Sequence, residues 1–211
     1  MMIEKQKELF DEWKIDNPDI ITYGIVNEDE YKKAPVRILY LLKEVNGGKA
    51  WDLCNYISNG GRQQTWDNKA RWTRGILSIN LEIPWIELES ITNQQRIELL
   101  NKICVVNVKK TSGRHTSNYS ELQSAARDTR EQLIRQFQIS NPQVIICCGT
   151  SSIYFEDIFE VAEPNWEMTS RGIYFVRENG RIVISYSHPE ARVKDSLLYY
   201  GLIDAVKEIM W

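Results

Sequence analysis

Histidine is nearly missing from this 211-residue chain, which holds only two, His115 and His188. A histidine-rich metal centre is therefore excluded, and any imidazole chemistry rests on very few positions. The four cysteines, at 54, 104, 147 and 148, lack the spacing of a disulfide framework or a zinc site, and we read them as reduced, buried thiols. An excess of charge of one sign is also lacking, because the formal net charge is only −3, so no global basic field announces a nucleic-acid partner. No apolar run approaches membrane-spanning length, and the amino terminus MMIEKQKELFDEW is charged and amphipathic with no apolar signal core; we expect a cytoplasmic protein. A Walker loop, a G-x-G-x-x-G fingerprint and a G-x-S-x-G elbow are missing as well, which removes the common nucleotide-binding and hydrolase signatures.

What is present has ordinary globular proportions, 43% hydrophobic and 26% charged, without repeats or low-complexity stretches. Helical spacing of Ile3, Leu9, Phe10 and Trp13 predicts a helix over 2–15 that stops at Asn17-Pro18. Three continuous apolar runs, VRILYLL (36–42), ICVVNV (103–108) and QVIICC (143–148), have the length and character of strands buried on both faces. Between them we expect a helix beginning near Trp51, another over 93–102, and one capped by Ser120 and Gln123 with Leu122, Ala126, Thr129, Leu133 and Phe137 on its apolar face. A helix near 151–160 follows. IYFVR and RIVISY flank Glu178-Asn179-Gly180, a strong hairpin signal, and a last helix covers 196–209. Alternating strands and helices predict an α/β fold, a three-layer α/β/α sandwich on a mainly parallel sheet, as one domain over 1–211 with a helical extension at 1–35.

In such sheets ligands sit beyond the carboxyl ends of the strands. Three predicted strands end in polar clusters that would meet on one rim: Lys43-Glu44-Val45-Asn46, Asn107-Val108-Lys109-Lys110 and Ser187-His188-Pro189. Adjacent Cys147 and Cys148 should point to opposite faces of their strand.

LLKEVNGG, VVNVKKTSG, SNPQVIICCGT and SHPEAR, in that order, make the chain resemble the uracil-DNA glycosylase superfamily over roughly residues 36–205. The resemblance implies excision of uracil or another damaged base flipped out of DNA, with hydrolysis of its N-glycosidic bond; no cofactor or metal is expected in this chain. It implies that His188 donates to the base carbonyl and stabilises the departing anion, that Glu44 is the acidic residue of the first motif, and that Asn107 reads the pyrimidine edge. Asn46 stands at the motif's proline. Trp72, in NKARWTRGIL, and Trp51 are candidate aromatic walls for the base. Lys109, Lys110, Arg114, Arg192 and Lys194 are candidate phosphate contacts, in stretches of local positive charge, and the partner implied is single- or double-stranded DNA met by a monomer. Two departures matter. Val45 stands where efficient relatives carry a water-orienting Asp or Asn, and the cysteines do not reproduce the ligand set of the iron–sulfur branch, so no cluster is expected. An inactive relative that binds nucleic acid or a nucleobase without cleaving is therefore the alternative, and His115 matches no motif.

Overall fold

The computed structural model describes residues 1–113 and 116–210. Among these, six strands form one sheet in the order β2-β1-β3-β6-β5-β4. They are β1 (Ile38–Leu42), β2 (Ile103–Asn107), β3 (Val144–Cys148), β4 (Glu167–Met168), β5 (Tyr174–Glu178) and β6 (Arg181–Tyr186). The four strands from β2 to β6 run parallel, and β5 and β4 add an antiparallel margin. Every residue of β1, β2 and β3 is buried, as expected of continuous apolar runs covered on both sides.

The period-two alternation of the strands divides the core in two. Ile38, Tyr40, Val105, Ile146 and Cys148 face one layer, which contains Leu53 and Ile57 of α3 (Leu53–Ser58), Trp66, Trp72 and Ile76 of α4 (Gln63–Leu77) and Leu198, Leu202 and Val206 of α8 (Asp195–Met210). Leu39, Leu41, Val106, Ile145 and Cys147 face the other, built from Leu122 and Ala126 of α6 (Tyr119–Asp128) and Leu133 and Phe137 of α7 (Arg130–Ser140). Helices thus cover both faces, and Cys147 and Cys148 point to opposite sides as expected. All four thiols are free.

The expected single helix over 120–137 is two. Thr129 leaves helical geometry (φ −121°, ψ 25°) and its hydroxyl donates to Ala125 O at 2.7 Å, yet the apolar stripe runs on across the break. Its cap is also different: Asn118, not Ser120, accepts the Ser120 N–H at 3.0 Å, so the capping-box expectation is corrected. At the hairpin, Asn179 (φ 48°) and Gly180 (φ 74°) both adopt positive φ, which the tight two-residue turn requires.

The amino-terminal extension is more than α1 (Met2–Asp16) and α2 (Glu28–Lys33). Its segment 24–26 lies along the outer edge of β2, with Val105 N bonded to Gly24 O at 2.8 Å and Val26 N to Ile103 O at 3.1 Å. An edge that would otherwise offer unpaired backbone groups is closed.

α4 is the element the charge pattern hid. Asp67, Asn68, Lys69, Arg71 and Thr73 are all buried on it, enclosed by α8, by α5 (Asn93–Leu100) and by the 80–91 segment. Internal partners satisfy most of them: Arg96 of α5 meets Asp67 at 2.5 Å and donates to Gly60 O at 2.8 Å. Gly75 is where α4 meets α8, since a Cβ there would stand 2.5 Å from Ile203 Cδ1 and 2.8 Å from Tyr199 Oη. Gly75→Ala is expected to lower stability by about 1–3 kcal/mol through overpacking, against the roughly 1 kcal/mol that alanine gains in an exposed helix. Urea unfolding of the two proteins measures the difference.

Among the described residues no helix is long and apolar enough to cross a membrane.

Candidate functional site

The chain enters the sheet at β1 and places β2 on one side of it and β3 on the other, so the carboxyl ends of β1 and β3 flank a topological switch point. The segments that follow β1, β2, β3 and β6 share this rim because their strands are parallel. Lys43 lies beside Gly149 (φ +71°): a Cβ on that glycine would stand 3.7 Å from Lys43 Nζ.

Glu44 is anchored. Its side chain is only 5% exposed and meets Lys109 Nζ at 3.2 Å, while Lys109 also reaches Glu121 at 3.3 Å. The two loops are zipped beyond the strands by Lys109 N to Lys43 O (3.0 Å) and Gly113 N to Val45 O (2.8 Å). Gly113 has no room for a side chain, because a Cβ would fall 1.9 Å from the Glu44 carboxyl carbon. Asn46 is exposed and pairs through its backbone with Gly113.

Asn107 closes β2 and is fully buried. Its backbone oxygen accepts from Lys110 Nζ at 2.8 Å and Tyr23 Oη at 3.3 Å, whereas both polar atoms of its side chain have no partner among the described residues. Alternation with Ile103 and Val105 puts that amide on the α4 side of the sheet. A buried amide without partners is costly, of order 1–3 kcal/mol per atom.

His188 follows β6 and is half-buried. Its Nδ1 accepts the Glu190 N–H at 3.2 Å, which leaves the ring proton on Nε2 as a donor. Burial first, then the charges of Lys69 and Lys43, push its pKa down to about 4 against the opposing pull of Glu190, so the ring is neutral at pH 7. The turn is held from α4: Asn68 Nδ2 donates to Pro189 O at 2.7 Å and to Asp195 at 2.9 Å. Arg71 in turn bonds Asn68 Oδ1 (2.7 Å), Asp195 (3.1 Å), Leu88 O (2.8 Å) and Glu89 O (3.0 Å). A cleft of about 440 Å³ lies behind this turn, lined by Gln63, Asp67, Asn68, Arg71, Pro189 and Asp195.

The depressed histidine has a sign that can be checked. Unfolded, the imidazole binds its proton near pH 6.5; folded, it stays neutral down to about 4. Between those values the unfolded state holds more protons, so stability is full above pH 6.5 and is lost as pH falls toward 4. Urea unfolding at pH 7 and pH 4.5 should differ by on the order of 2 kcal/mol from this group, and His188→Asn should remove that part of the difference. Glu28, held down to about 2 by Lys32 and by the Ile3 and Met2 amides, loses its contribution between pH 4.5 and 2, below the range compared.

Three expectations are corrected. Trp72 packs its ring on Tyr40 and Tyr186 with centroids at 6.2 and 5.4 Å, so its π-surface belongs to the core and is not a wall for a base, although its buried indole N–H, like the Asn107 amide, has no partner among the described residues. Lys110, 4% exposed, is clasped by Asn107 O, Gln136 Oε1 (2.6 Å) and the Trp13 and Tyr23 rings, which removes it from any phosphate contact. Lys109 is occupied by its two carboxylates. Trp51 is half-buried, set edge-on to Tyr56 at 5.6 Å and pressed against Gly48. Arg192 and Lys194 are exposed beside the His188 turn. Arg114 lies outside the described residues.

Lys69 is the site residue missed. It is 1% exposed, on the buried face of α4, with its pKa lowered to about 8 by burial. Its signal was there to read: Trp66, Lys69 and Trp72 recur at three-residue spacing, which places the lysine within an apolar helix stripe.

Among the described residues no group of three or more His, Cys, Asp or Glu is placed to hold a metal ion. No protein-family model matches the sequence, and no curated protein matches it.

Proposed function

We propose that the protein is a DNA glycosylase-like enzyme of the uracil-DNA glycosylase type, which takes a base flipped from DNA between Asn107 and His188 and hydrolyses its N-glycosidic bond. The observation that carries this is the buried amide of Asn107, which has no partner among the described residues. A primary amide offers one acceptor and one donor side by side, the complement of the N3–H and adjacent carbonyl of a uracil-type edge. β2 and β6 are separated by three strand spacings, about 14 Å, and side chains reaching in from both ends suit a single pyrimidine ring between them. As the glycosidic bond breaks, its electron pair goes to the base, and the Nε2–H of neutral His188 donates to the carbonyl where that charge collects. Water adds its oxygen to the sugar carbon and releases a proton. Exposed Arg192 and Lys194 beside the turn supply phosphate contacts.

One observation favours a second reading, a base-binding protein with little turnover: Glu44 is tied to Lys109, and Val45 offers the water no polar group. Labelled oligonucleotides carrying uracil, single- and double-stranded, followed by alkaline cleavage at abasic sites, decide between them. Cleavage by the wild type that Asn107→Ala abolishes is expected. Retention of uracil DNA over undamaged DNA without cleavage would establish the binder, and neither would end both.

A further inference from the structure

Lys69 sits on α4 with its ammonium drawn back toward Thr65, at the end of the helix nearest the His188 turn. It uses one of its three donors, to Thr65 O at 2.8 Å, and lies over the Trp66 ring at 4.1 Å. The carboxylates nearby are committed elsewhere: Asp67 to Arg96, Asp195 to Arg71 and Glu190 to Arg62. Its charge is coupled to the Cys148 thiol of β3 and to Glu190 of the turn, and the His188 ring in turn feels Lys69, Glu190 and Lys43. A buried ammonium with no carboxylate paired to it among the described residues is costly to keep, because desolvation disfavours its charge and the partial attraction of an indole face does not replace a carboxylate. It lies on the same side of the sheet as the unpartnered amide of Asn107.

We propose that Lys69 is the counter-charge of the site, placed beneath the His188 turn so that the bound base is favoured as an anion. This rests on the base-excision reading and adds to it a positioning residue that the sequence motifs do not include. Lys69 acts through its field, on His188 and on the ring held in front of it. Its effect is greatest when the base has taken the electron pair of the broken bond, and bases that leave as stabilised anions are the substrates it suits.

Two pyrimidines that differ in charge test this by calorimetry at pH 7: uracil, which is neutral, and 5-nitrouracil, whose nitro group makes it anionic. Wild-type protein is expected to bind the anion about tenfold or more tightly than uracil, and Lys69→Met to bring the two within about twofold. The thermal midpoint of Lys69→Met should be unchanged or higher, since an uncompensated buried charge has been replaced by a chain of similar volume. Equal binding of the two pyrimidines by the wild type, or a preference that survives Lys69→Met, overturns the role of Lys69 and leaves the base site standing. A lower midpoint with the preference intact assigns Lys69 to structure. Binding of neither pyrimidine by the wild type overturns the base site itself and the counter-charge with it.

Discussion

His188→Asn is expected to slow excision of uracil from a labelled oligonucleotide by about 10²–10³-fold in single turnover, the usual cost of removing one donor aimed at developing charge. Asparagine is the informative replacement. Its side-chain oxygen can take over the role of Nδ1 in accepting the Glu190 N–H, so the turn keeps its bond, while nothing is left where Nε2–H stood. A loss in rate with an unchanged unfolding midpoint at pH 7 then belongs to the donor rather than to the turn. The pH profile separates mechanisms further. An imidazolium of ordinary pKa acting as a general acid would lose activity as pH rises through 6.5. A ring already neutral above about 4 gives a level rate from pH 5 to 7. A rate for His188→Asn within threefold of wild type would place the stabilisation of the leaving base elsewhere.

The strands and the rim were legible because their physics is local. Runs such as ILYLL and VIICC have one stable use in a chain of this composition, and once they lie parallel, whatever follows each of them is gathered on one edge. The Asn179-Gly180 turn was legible because few residue pairs accept two positive φ values. The roles of individual polar residues were not local. Lys110 reads as a phosphate contact until Trp13, Tyr23 and Gln136, from segments far away in sequence, are folded around it. Trp72 reads as a candidate base wall until Tyr40 and Tyr186 close over it. α4 was obscured for the same reason: its charged residues look solvated in sequence, and only the assembled α5, α8, 80–91 segment and 187–195 turn supply the partners that let them be buried.

The strongest test of that buried network is Arg71→Met, which should destabilise the protein by about 3–5 kcal/mol, chiefly from the neutral acceptors left unmet, since its carboxylate partner Asp195 is half exposed. Arg71 is 5% exposed, and its fork joins three pieces of chain: Asn68 on its own helix, the carbonyls of Leu88 and Glu89 in the loop before α5, and Asp195 at the start of α8. Methionine fills much of the volume but leaves those oxygens without a donor, and each unmet acceptor costs about 1–3 kcal/mol. For a chain of this size each kcal/mol moves the midpoint by roughly 2–4 °C, so the fall should be about 6–20 °C by calorimetry. Arg71→Lys should recover only part of it, because a single ammonium cannot reach carbonyls and carboxylate in separate directions. The consequence for the site follows from Asn68, whose amide holds Pro189 O directly after His188. With Arg71 gone, Asn68 loses the bond that fixes its oxygen, and the His188 turn is left tied to α4 by an unsupported Asn68 contact and by the exposed Arg62–Glu190 pair. Hydrogen exchange of the Ala191 amide, bonded to His188 O at 2.9 Å, should quicken in Arg71→Met more than that of amides within β3. Equal acceleration at both places would mean that the network supports the whole fold and not the turn in particular.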